Sequence, residues 1–138
     1  MTLLNRESLL KKEELQITKV DLGDNFVFVK EMTGRERELF ERSFIIEKKG
    51  SKGSDFEITH DYFRAKLAVI TVCDKDGKLL LKSNDYIQLS TSMGASKLQK
   101  IADAAQKLNG ISEEDKEDLV KNSEGDQVAD SNSDSVKS

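Results

Sequence analysis

In this 138-residue chain, one histidine, one cysteine and a few acidic runs are the residues whose types could do chemistry. Zinc sites draw mostly on His and Cys ligands, and with one of each no site of ordinary composition can be assembled. His60 reads instead as an exposed side chain near a helix start. Cys73 ends the apolar run Leu67-Ala68-Val69-Ile70-Thr71-Val72-Cys73. A thiol there behaves as a small buried hydrophobe, and no basic neighbour in sequence lowers its pKa. Asp74-Lys75-Asp76-Gly77 has the spacing that opens a calcium loop, but Gly77 comes two positions too early for the third oxygen ligand. A chain turn is the better reading. Gly50-Ser51-Lys52-Gly53-Ser54 lacks the spacing of a phosphate loop and follows no strand, so it reads as a solvated linker. Glu113-Glu114-Asp115 after Ser112 suits the first turn of a helix, not a pair of carboxyls with separated pKa values. No catalytic, cofactor-binding or metal-binding constellation emerges, and a binding or assembly protein is expected.

The elements around these residues are mostly helical. Arg6 to Leu15 is expected to form a short helix with Leu9, Leu10 and Leu15 on its apolar side. Two strand-like runs, from Gln16 to Leu22 and from Asn25 to Lys30, flank a Gly23-Asp24 turn and predict a β-hairpin. Thr33-Gly34-Arg35-Glu36 has the layout of a capping box, and Phe40 and Phe44 then carry a helix to about Glu47. A second long helix is expected after Thr59, with Tyr62, Ala65 and Val69 on one side and Phe63, Leu67 and Ile70 on another. It is expected to give way to a strand near Ile70. The Asp74–Gly77 turn then leads into Leu79-Leu80-Leu81 as a second small hairpin, and Ser83-Asn84-Asp85 starts a short helix.

From Ala95 to Asn109, Leu98, Ile101, Ala105 and Leu108 fall on a strict helical seam, with Gly110 placed to end the helix. Such a seam serves either packing on the chain's own core or self-association. A last helix carrying Leu119 and Val120 is expected to follow Ser112. The expected fold class is α+β, predominantly helical, with about four to five helices and one or two small β-hairpins.

Composition sets the outer bounds. The hydrophobic fraction is 36% and the charged fraction 35%, against roughly 45–50% and about 25% in average soluble domains. The core is therefore modest. Residues 1–122 are expected to fold, and residues 123–138 to be a disordered acidic, Ser-rich tail, since only Val128, Ala129 and Val136 in it are apolar. The net charge is −4, of which the tail holds −3, so the body is nearly neutral. A nearly neutral body of interspersed signs has no footprint for a phosphate backbone, and no nucleic-acid partner is expected. No apolar stretch approaches the roughly 20 residues that span a bilayer. The first residues lack a signal-peptide layout and the cysteine is single, so a cytoplasmic location without membrane contact is expected.

Three segments stand in order along the chain: Glu31-Met32-Thr33-Gly34-Arg35-Glu36-Arg37-Glu38-Leu39-Phe40-Glu41, then Val72 to Leu80 around Asp74-Lys75-Asp76-Gly77, then Ile101 to Asp115 followed by Leu119 and Lys121-Asn122-Ser123. The first resembles the E-L-T-G-x-E-R-x-x-F segment of the tail assembly chaperones of long-tailed (siphovirus-like) bacteriophages. The middle segment resembles that family's D-x-D-G turn. The last is similar to its A-A-x-x-L-N-G-L-x-E-E-D-x-E-x-L-x-K-N stretch. The resemblance covers about residues 1–123 in order. The resemblance implies a non-catalytic protein that coats and solubilises the tape measure protein and brings tail tube protein to it. It also implies self-association into open or spiral oligomers, a place in the host cell cytoplasm, and absence from the mature virion. It brings no catalytic residues. The residues themselves leave a second class open: a small cytoplasmic adaptor or regulatory module with one discrete partner.

Overall fold

A computed structural model of the chain describes residues 1–47, 56–59, 61–112 and 114–115. The expected linker at 50–54, His60, the last helix with Leu119 and Val120, and the tail at 123–138 lie outside the described residues. The chain opens with helix α1 (Arg6–Leu10), whose Asn5 cap accepts a hydrogen bond from the Ser8 backbone N–H at 2.9 Å. Strands β1 (Ile17–Asp21) and β2 (Phe26–Lys30) form the expected antiparallel hairpin. Helix α2 (Gly34–Arg42), strands β3 (Ile45–Glu47) and β4 (Phe56–Ile58), and helix α3 (Phe63–Thr71) follow. Strand β5 (Val72–Cys73) pairs with β2 and completes a three-stranded antiparallel sheet of order β1-β2-β5. A 3₁₀ turn (Ser83–Asp85) leads into α4 (Tyr86–Ser92), and α5 (Ala95–Leu108) closes the described fold. The architecture is α+β and mostly helical.

Strand alternation decides what the sheet buries. Val20, Leu22 and Val29 face inward and meet Ala65, Ala68 and Val72 from the α3–β5 segment and Leu98 and Ile101 from α5. A second cluster gathers Met32, Phe40, Phe44, Phe63, Leu67, Ala102, Ala105 and Ile111. Helices α3 and α5 contribute to both. The four alanines at 65, 68, 102 and 105 are fully buried, which lets the two helix backbones approach closely.

Several boundaries depart from the sequence expectations. Helix α1 stops at Leu10, not Leu15, and buries none of its residues. Its leucines have helical spacing, yet nothing packs on them, and a short helix without packing does not propagate. Helix α2 ends at Arg42, not near Glu47. Ile45 and Ile46 pair with β4 instead, as β-branched residues do when a partner strand is offered. The second hairpin shrinks to a single bridge between Cys73 and Leu79. Helix α3 does give way to a strand, at Val72, two residues beyond the expected point.

Candidate functional site

The segments that carry the family resemblance meet in space and are spent on holding the chain together. Thr33 caps α2 by accepting from the Glu36 N–H at 3.1 Å, and Glu36 Oε1 accepts from the Thr33 N–H at 3.0 Å. The same oxygen takes the ammonium of buried Lys30 as an ion pair. Burial pushes the Glu36 carboxyl up, but the Lys30 hydrogen bond, the Thr33 N–H and the Lys30 charge outweigh it and leave the pKa below its ordinary value. One residue on, Arg37 reaches the Asn109 carbonyl oxygen at the end of α5, at 3.3 Å. A cation there also suits the negative end of the helix dipole.

Asn109 is the centre of this junction. Its Oδ1 accepts from the Met32 N–H at 2.7 Å, while Nδ2 donates to the carbonyls of Ala105 at 2.9 Å and Lys30 at 3.3 Å. Gly110 then takes a left-handed φ of 66°. Its N–H donates to the Lys107 carbonyl, and that of Ile111 donates to Gln106, the two bonds of a Schellman ending. In the middle segment, Asp74 accepts from the N–H groups of Asp76 and Lys78 at 2.8 and 3.0 Å. Those bonds hold its carboxyl below the usual range. Gly77 has φ 86° and a Cβ there would sit 3.3 Å from Ile17 Cδ1, so the turn needs glycine.

The remaining sequence candidates are placed as follows. Leu98, Ile101 and Ala105 are buried and Leu108 is half-buried against the first cluster, so the α5 seam packs on this chain's own core. Cys73 is fully buried, and burial drives its thiol pKa up despite the nearby positive charge of Lys30, a neighbour that sequence order hides. Ser112 and Asp115 exchange hydrogen bonds at 3.0 Å each, the cap expected before the last helix. Among the described residues no group of three or more His, Cys, Asp or Glu converges as metal ligands. No helix among them is long and apolar enough to cross a membrane.

What the structure offers for binding is an apolar groove of about 520 Å³ between α2 and α3, closed on its third side by Leu81 and Tyr86. Phe40 and Val69 form the floor, and half-buried Ile70 and exposed Leu39 form the walls. Two charged residues line it, Glu36 and Lys66. The Lys66 ammonium donates to the Ser43 carbonyl at 2.7 Å and lies over the rings of Phe44 and Tyr86, at 4.7 and 5.2 Å from their centroids. Burial lowers its pKa, partly opposed by the charge of Asp61. Near Lys66, Tyr62 adopts a left-handed φ of 63°, a strained state for a bulky residue, and its ring meets Tyr86 edge to face at 5.2 Å. A larger cleft of about 750 Å³ shares Glu36 and Leu79 with the groove but is lined mostly by charged and polar side chains, Lys12 to Glu14 and Lys75 among them.

The sequence marks Leu39 and Phe40 only as helix-face residues. It does not mark Lys66, and it marks Asn109 only as a helix end within the resemblance, because nothing local identifies partners that lie 23 and 77 positions away. Against protein-family models, curated proteins and solved structures, the chain has no match.

Proposed function

We propose that this chain is a non-catalytic tail assembly chaperone of the long-tailed phage type. It binds and solubilises the tape measure protein and recruits tail tube subunits in the host cytoplasm, and it does not remain in the mature virion. The observation that carries this reading is the amount of apolar surface left outside a small core. The groove between α2 and α3 is lined by aliphatic and aromatic side chains, and Leu3, Leu4, Leu9, Leu10, Leu80 and Ile87 are exposed besides. A protein that shields another chain's apolar helical seam needs such surface, and helix-in-groove packing uses it. The three ordered resemblances supply the family. A binding role is further supported by how the perturbed carboxyls are used: Glu36, Asp74 and Asp115 serve caps and turns and do not converge on a pocket.

A nearly neutral body implies attraction that is mostly apolar and resists moderate salt. Co-expression with the cognate tape measure protein, followed by pull-down at low and high salt, tests this. Several copies retained per tape measure chain in high salt are expected. An insoluble, unbound tape measure protein rejects the reading, and a single bound copy replaces it with the adaptor reading.

A further inference from the structure

Asn109 is followed by Gly110, and of the six asparagines in the chain it alone precedes a glycine. An Asn-Gly pair holds its own reactants. The glycine nitrogen can attack the asparagine side-chain carbonyl carbon, Cγ, and glycine puts no Cβ in the way. The Gly110 N–Cγ bond forms, the Cγ–Nδ2 bond breaks, and ammonia leaves with the proton of the Gly110 nitrogen. Water then opens the five-membered imide, at Cγ to give aspartate or at the main-chain carbonyl to give isoaspartate.

The fold blocks the first step. The ring closes where Cβ eclipses the Gly110 nitrogen, which tetrahedral geometry at Cα puts at a ψ of roughly −120°. Asn109 is held at ψ 5°. Turning it breaks the Gly110 and Ile111 bonds that close α5. The leaving Nδ2 is itself bound to the carbonyls of Ala105 and Lys30, and Oδ1 to the Met32 N–H. Nor does the product fit. An aspartate places an oxygen where Nδ2 donated to two carbonyl oxygens, and a negative charge at the negative end of the α5 dipole. Of the cations nearby, Lys30 is already paired with Glu36 and Arg37 with Glu41. Isoaspartate adds a methylene to the main chain inside the same helix ending.

We propose that Asn109-Gly110 is a deamidation site gated by folding: closed while the end of α5 is tied to β2, open in the unfolded chain, and incompatible with that tie once used. It makes unfolding a one-way risk, since a chain that dwells unfolded is converted at the residue its native junction needs. The proposal does not rest on the chaperone reading.

Full-length protein aged at mildly alkaline pH, with and without denaturing urea, tests it, with peptide mapping by mass spectrometry to place the exchange of NH2 for OH. A peptide of residues 106–112, too short to hold a helix, gives the rate of the bare chemistry in both buffers. In urea Asn109 should react before the other five asparagines, at the rate of the peptide. Without urea it should react at least about tenfold more slowly than the peptide. After dilution from urea, deamidated chains should collect in the non-native fraction on gel filtration and unmodified chains in the native one. The Asn109→Asp chain should unfold at lower urea than the wild type or stay unfolded. A native chain that deamidates at Asn109 as fast as the peptide, or an unfolded chain that reacts first at another asparagine, would overturn the proposal. So would deamidated chains that refold as fully as unmodified ones, or an Asn109→Asp chain as stable as the wild type.

Discussion

Asn109 satisfies three backbone groups on three residues, Lys30, Met32 and Ala105, and so ties the end of α5 to the end of β2. Replacing it with alanine leaves a part-buried N–H and carbonyl without partners, each costing about 1–3 kcal/mol. Asn109→Ala should therefore lose about 2–4 kcal/mol in urea unfolding. A loss under ~0.5 kcal/mol would mean that water takes over these bonds. Glu36 makes a second prediction at this scale. Its pKa is lowered in the folded state, so the folded chain favours the ionised form. The stability this contributes is full above the ordinary value of 4.5 and is lost as pH falls through the lower folded value. The gap between wild type and Glu36→Gln should thus narrow below pH 4.5 and stay constant near neutrality. Asp74 and Asp115 are shifted the same way and leave the variant some acid sensitivity of its own. A gap independent of pH would remove the ion pair from the account.

At the scale of elements, what can be read from sequence is what local rules determine. Helix α5 carries its own period, its own cap and its own stop, and its expected span from Ala95 to Asn109 differs by one residue from the one found. The capping box at Thr33 and the β1–β2 hairpin are equally local and equally legible. The end of helix α2 is not, because Ile45 and Ile46 fit a helical period until a strand from beyond the 48–55 segment competes for them. The apolar groove is illegible for the same reason: its walls come from two helices and a later loop. These differences fix what substitutions should do. Ile101→Ala empties a fully buried site and should cost about 2–5 kcal/mol. Gly110→Ala places a Cβ at a φ of 66° and should cost ~1 kcal/mol. Leu9→Glu with Leu10→Glu should leave the unfolding of the single chain within about 0.5 kcal/mol of wild type, because α1 packs on nothing. Denaturant unfolding of the three variants should rank them in that order.

For the molecule as a whole, the question is whether two apolar clusters make two cooperative units. The first joins the sheet to α3 and α5, and the second joins the Phe40, Phe44 and Phe63 rings to the same two helices. On α3, Ala65 and Ala68 face one cluster and Phe63 and Leu67 the other. On α5, Leu98 and Ile101 serve the first while Ala102 and Ala105 serve the second. Neither cluster can open while the α3–α5 pair holds, and that pair cannot part without exposing both. The Asn109 junction adds a third tie, from β2 to the end of α5. The described body should therefore unfold in one transition, as most single domains of this size do. Far-ultraviolet dichroism reports the helices, and tyrosine fluorescence reports the Tyr62–Tyr86 contact, with Tyr86 packed against the first cluster. Their denaturation curves should coincide, and Leu67→Ala should shift both midpoints equally. Curves that separate, with the tyrosine signal lost first, would show that the Tyr62–Tyr86 side of the groove opens on its own, ahead of the helices.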